Sequence, residues 1–210
     1  MLSPLQTQIA RLVATLPEAD SFALAGGAAL IVHRVVDRRT DDLDFFTSNA
    51  DDVPRLVPAL EAALGAAGLR VRRERVLPTF ARLTVSDDSG AATVVDIAWD
   101  YRLSPAVETP VGLVLAEAEL AADKLLALAG RVEARDYVDV AHLVERLGLD
   151  EVCRLAQQKD PGFRRWALAD MLGHFDRIAR QDFDLDDDEY EALRRAVATW
   201  RTTLGRAGAP

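Results

Sequence analysis

The chain has 210 residues, half of them hydrophobic and 28% charged, with a formal net charge of -9. That composition is enough for a real core and fits one compact domain or a small domain with a helical extension. It excludes a membrane-spanning, zinc-built or disulfide-built protein. The longest apolar stretches, such as Phe22 to Val32, are too short or interrupted to span a bilayer. The N-terminus has no charged region followed by an apolar one, and the lone Cys153 in a helical context is ordinary packing. A soluble, cytoplasmic protein without a membrane partner is expected.

Pro4 to Leu16 places Leu5, Ile9, Leu12 and Val13 on one side of an amphipathic helix that Pro17 ends. Phe22 to Ala25 is a short apolar run that stops at Gly26-Gly27 and passes into Ala28 to Val32, a pattern of strand, glycine turn and helix. Leu43 to Thr47 is the next strand, and Val53 to Ala67 a helix punctuated by Gly65 and Gly68. Strands at Leu69 to Val76, Phe80 to Val85 and Ala92 to Trp99 follow, the last two joined by a hairpin turn at Asp87 to Gly90. They form a mostly antiparallel patch.

From Ala116 the character changes. Helices are expected at Ala116 to Ala129, Ala134 to Leu147, Asp150 to Gln158, Phe163 to Ile178 and Asp187 to Leu204, the last capped by the late acidic excess that begins at Asp182. The fold class is α/β (α+β), with a mixed sheet and flanking helices over residues 1–110 and a helical bundle over 111–210, the boundary falling near Pro105 to Pro110.

Three features of the first half carry chemistry together. Gly26 and Gly27 at a strand-to-helix turn let a backbone approach phosphate and offer amide donors to it. Asp42 and Asp44, two apart in a strand, present two carboxylates on one face, and these repel unless a cation lies between them. Magnesium or manganese suits such oxygens, and one or two ions about 4 Å apart align an in-line attack on the α-phosphate of an NTP. Asp96, flanked by Val95 and Ile97, is costly to bury unless it meets a metal or a donor, so it is a third metal ligand or the base for the acceptor hydroxyl. Taken one at a time, each feature has a simpler account as a turn, a surface loop or a satisfied core carboxylate. Their joint order is what points to catalysis.

That order resembles the nucleotidyltransferase signature of a Gly-Gly or Gly-Ser pair, Asp-x-Asp and a later strand carboxylate. Four segments are similar to motifs of the AbiEii/AbiGii toxin family, which includes the MenT toxins: Phe22 to Leu30, Arg38 to Phe46, Ala122 to Leu125 and Ala134 to Val140. The resemblance implies Asp42 and Asp44 as the metal pair, Gly26 and Gly27 as the phosphate loop, and Lys124 as a solvent-accessible cation on the NTP phosphates. It also implies Asp136 as a catalytic or nucleotide-positioning residue with Asp139 beside it. The second loop residue is Gly27 where many relatives have serine, so the loop relies on backbone amides. Taken without the resemblance, Lys124 snorkelling from a helix and Asp136 paired with Arg135 are the simpler accounts.

The family further implies an enzyme that transfers a nucleoside monophosphate to RNA, in relatives the 3' end of tRNA, and that is paired with an antitoxin. An antibiotic-type enzyme acting on a small hydroxylated molecule, or a non-catalytic NTP-binding regulator, would use the same loop. At charge -9 an RNA partner must meet a local basic surface. Arg34, Arg38 and Arg39 lie just before the acidic motif, with Arg39 a substrate contact, and Arg70, Arg72, Arg73 and Arg75 form a second cluster that can equally be a solvated strand face. Thr40, two residues before Asp42, either helps the turn or is a control point where a phosphate would set about two negative charges beside the carboxylates.

Overall fold

The computed structural model describes residues 1–206, which divide at Ala116/Glu117 into two compact units. The first unit is built on a seven-stranded mixed sheet. Its elements are α1 (Pro4–Val13), β1 (Ala23–Ala25), α2 (Gly26–Val32), β2 (Asp42–Thr47), α3 (Val53–Ala66), β3 (Arg70–Leu77), β4 (Phe80–Ser86), β5 (Ala92–Trp99), β6 (Val107–Thr109) and β7 (Gly112–Val114). The strand order is β3-β4-β5-β2-β1-β7-β6. β2 runs parallel to β5, and β1 parallel to β7, while the remaining neighbours are antiparallel.

Period-two alternation explains the layering. Leu43 and Phe45 of β2, Ala81, Leu83 and Val85 of β4, and Val95 and Ile97 of β5 are buried on one face, against which α1 and α3 pack. Asp42, Asp44, Arg82 and Asp96 therefore share the opposite face. A capping box starts α1: Ser3 Oγ accepts from the Gln6 amide at 3.1 Å and Gln6 Oε1 accepts from the Ser3 amide at 2.9 Å. The same Gln6 is buried and donates through Nε2 to the Thr40 carbonyl at 2.8 Å, while Thr93 Oγ1 donates to the Asp41 carbonyl at 2.9 Å. Two side chains thus pin the chain as it enters β2.

Element boundaries differ from expectation for identifiable reasons. The first helix ends at Val13, and Pro17 opens a short 3-10 turn instead of closing the helix. Gly65 lies inside α3, and Gly68 alone stops it, with φ +78° and a Leu69 amide donating back to the Leu64 carbonyl at 2.9 Å. The hairpin of β6 and β7 is additional. Its strands are three residues each, too short to show alternation, and they place the end of the sheet beyond the boundary expected near Pro105 to Pro110.

The second unit holds α4 (Glu117–Gly130), α5 (Ala134–Leu147), α6 (Leu149–Lys159), α7 (Arg165–Leu172) and α8 (Asp187–Arg206). The expected helix from Phe163 to Ile178 is shorter, because the chain leaves α-geometry at Gly173 and makes a 3-10 turn at Phe175–Arg177. Tyr137, Phe175, Phe183 and Tyr190 pack their rings together, and Cys153 is buried, its thiol pKa pushed up by that burial. No helix among the described residues is long and apolar enough to cross a membrane.

Candidate active site

The strand register assembles the acidic face of the first unit. Asp44 of β2 lies opposite Asp96 of β5, and Asp96 lies opposite Arg82 of β4, so three strands contribute one row of charged side chains, with Asp42 two residues away on the same face. Asp42 and Asp44 are half-buried and Asp96 is buried. Thr40 Oγ1 donates to Asp42 Oδ1 at 2.8 Å.

Asp96 meets a donor. Arg82 Nε donates to its Oδ1 at 2.8 Å and Arg82 Nη2 to its Oδ2 at 2.6 Å, a fork-to-fork pair. These bonds, and behind them the charges of Asp42 and Asp44, hold the Arg82 guanidinium above its ordinary pKa. The sequence reading missed Arg82, although the hairpin turn at Asp87 to Gly90 contains the signal. Once that turn fixes the register, residue 82 falls opposite residue 96.

The glycine pair is explained by what surrounds it. Gly26 has φ +58°, and a methyl group built on it would lie 1.8 Å from Asp44 Oδ2, so the carboxylate rests directly on the loop backbone. A methyl on Gly27 would come 2.9 Å from Arg38 Nη2 and 3.1 Å from Thr40 Oγ1. Arg38 therefore sits over the loop, whereas Arg39 is exposed.

Asp42 and Asp44 present hard carboxylate oxygens on one strand face, a donor pair that could hold a divalent cation of the magnesium or manganese type. Asp96 has both oxygens engaged by Arg82. Among the described residues no group of three or more His, Cys, Asp or Glu side chains is arranged to hold a metal.

The second unit contains its own buried ionic cluster. Lys124 on α4 pairs with Asp139 at 2.8 Å and lies 3.8 Å from Asp136, both on α5 and both fully buried. Asp136 and Asp139 are three apart, one turn of the same helix face. Asp136 also accepts from Arg131 Nε at 2.9 Å and Nη2 at 3.2 Å, while Arg135 turns to Glu133. Two expectations are corrected here. Lys124 is not solvent-accessible, being 7% exposed, and the arginine partner of Asp136 is Arg131 and not its neighbour in sequence. Sequence reasoning also missed Lys159, which is buried against Asp123 and 2.7 Å from Glu119. The spacing of Glu119 and Asp123, one helical turn, was the available signal.

A family model described as "Nucleotidyl transferase AbiEii toxin, Type IV TA system" matches residues 9–205. The chain belongs to this AbiEii family. Among solved structures, JHP933 from Helicobacter pylori is similar over 99% of this chain and 94% of its own, with a TM-score of 0.62 and 16% identity. The nucleotidyltransferase toxin MenT4 from Mycobacterium tuberculosis H37Rv is similar over 95% of this chain and 91% of its own, with a TM-score of 0.56 and 20% identity. At such identities these likenesses speak for the fold, a nucleotidyltransferase-like one. No curated protein matches the chain by sequence. As an AbiEii member the chain is a nucleotidyltransferase of the toxin-antitoxin type.

Proposed function

We propose that this toxin transfers a nucleoside monophosphate from an NTP to RNA, the 3' acceptor end of tRNA being the preferred target, and so blocks translation. The observation that carries the reading is the pair Asp42 and Asp44 on one strand face, with the Asp44 carboxylate seated on Gly26 at the turn into α2. Asp42 and Asp44 would hold magnesium or manganese, which when bound offsets the triphosphate charge and polarises the α-phosphate. Gly26 and Gly27 let the backbone approach the phosphates, with Arg38 over the loop and Arg39 nearby. The acceptor hydroxyl gives up its proton to solvent as its oxygen attacks the α-phosphorus in line, a P–O bond forms, and pyrophosphate leaves with the electron pair of the bond that breaks.

In the second unit, Lys124, Asp136 and Asp139 are assigned as one ionic cluster, the ammonium held by Asp139 at 2.8 Å and lying 3.8 Å from Asp136. A cognate antitoxin is the expected protein partner. Thr40 is the place where control would be exerted: a phosphate on its hydroxyl would replace a donor to Asp42 with about two negative charges. An active Thr40→Glu enzyme, together with an unmodified Thr40 by mass spectrometry after co-expression with the neighbouring gene, would remove that assignment.

The test of the function is incubation with each labelled NTP in turn, magnesium or manganese, and total tRNA. Label is expected in RNA with at least one NTP. Label in a small hydroxylated acceptor and none in RNA would instead identify the antibiotic-type activity.

A further inference from the structure

Arg82 lies on the acidic face, yet nothing in the transfer reaction as derived above uses it. Its bonds go to Asp96, the carboxylate flanking Asp44 across β2 and β5. The two partners differ in freedom. Asp96 is anchored in a central strand with its side chain 10% exposed, whereas the Arg82 side chain is 50% exposed on β4. Only the arginine can leave without disturbing the sheet. In that same position the guanidinium carbon lies 5.8 Å from the centroid of the Phe80 ring, two residues earlier on the same strand face.

A guanidinium bonded to both oxygens of Asp96 neutralises that carboxylate and repels any dication approaching the same oxygens. We propose that Arg82 is an internal counter-ion of the acidic row: it occupies Asp96 until triphosphate arrives, and then exchanges onto the phosphates, leaving the Asp96 charge to strengthen the field in which Asp42 and Asp44 would hold the metal. Arg82 is thus a positioning residue that makes tight metal binding conditional on nucleotide. A guanidinium suits that exchange because its planar fork matches carboxylate and phosphate oxygens alike. The inference rests on the assignment of Asp42 and Asp44 as metal-holding residues.

The experiment is a Mn2+ titration of the full chain, with free ion followed by its EPR signal, for wild type, Arg82→Gln and the double variant Arg82→Gln with Asp96→Asn. Each is titrated without nucleotide and with a non-hydrolysable NTP analogue, Mn2+ held by the analogue alone being subtracted. Without nucleotide, Arg82→Gln should bind Mn2+ at least fivefold more tightly than wild type, and the double variant should lose that gain. With the analogue, wild type and Arg82→Gln should fall within about twofold of each other.

Unchanged or weaker nucleotide-free binding by a folded Arg82→Gln protein overturns the proposal, as does a gain that survives Asp96→Asn. If Arg82→Gln does not fold, Arg82→Met, which removes the charge and keeps the apolar stem, is read in the same way. Nucleotide-dependent Mn2+ binding by wild type with no gain on removing Arg82 overturns this inference alone. Absence of Mn2+ binding by wild type and variants, with or without analogue, overturns it together with the metal assignment on which it rests.

Discussion

Asp42 and Asp44 are half-buried side chains on a strand whose packing is carried by Leu43 and Phe45 on its other face, so their removal takes away charge and leaves the core intact. Asp42→Ala and Asp44→Ala are each expected to lower nucleotide transfer by at least a hundredfold while Tm stays within a few degrees of wild type. Transfer assays beside thermal melts check this, and full activity in either variant removes the metal assignment. Lys124 behaves in the opposite way. Its ammonium lies between the fully buried Asp136 and Asp139, and truncation leaves that charge without its lysine partner. Lys124→Ala should therefore cost about 3 kcal/mol of stability, read by denaturant unfolding, in addition to any loss of turnover. A variant as stable as wild type would mean that the cluster contributes little to folding.

At the level of elements, the junction of β1 and α2 is tightly constrained. Gly26 combines a left-handed backbone with an Asp44 oxygen where a side chain would begin. Gly26→Ala is expected to displace Asp44 and to abolish transfer. Crystallography or the chemical shift of the Asp44 carboxyl would register the displacement, and an active Gly26→Ala enzyme would show that the close approach is dispensable. The hairpin between β4 and β5 has a comparable role at longer range. Its turn sets the register that brings Arg82 to Asp96, and a slip of one residue would turn Arg82 to the packed face.

Across the whole molecule, a net charge of -9 means that any RNA is met locally and against an unfavourable background. The arginine cluster of β3 is a weak candidate for that contact, because three of its four charges are already answered: Arg70 pairs with Asp88, Arg72 with Glu74, and Arg73 with Glu61 at 2.5 Å. Replacing Arg70 and Arg72 together with Ala is expected to change RNA labelling by less than twofold and to leave the salt dependence of labelling unaltered. A drop of tenfold, with a shallower salt slope, would place RNA on this strand instead.

The residue pattern by itself determined a great deal. Asp42-Leu43-Asp44 is a local arrangement, two carboxylates on one strand face whatever the rest of the chain does, and Gly26-Gly27 before an apolar helix marks its own turn. The change from alternating to helical periodicity separated the strands from the later helices for the same reason, since each period is a property of neighbouring residues. What only the tertiary structure decided depends on pairs distant in sequence. The β6 and β7 hairpin exists because β7 lies parallel to β1, with Leu24 opposite Val114, and three-residue strands carry no period of their own. Asp96 with Arg82, and Lys124 with Asp136 and Asp139, are charges whose partners are set by strand register and helix packing. A side chain's exposure follows from what packs over it, which is why Lys124 read as a surface cation in one dimension and is a buried ion-pair partner in three.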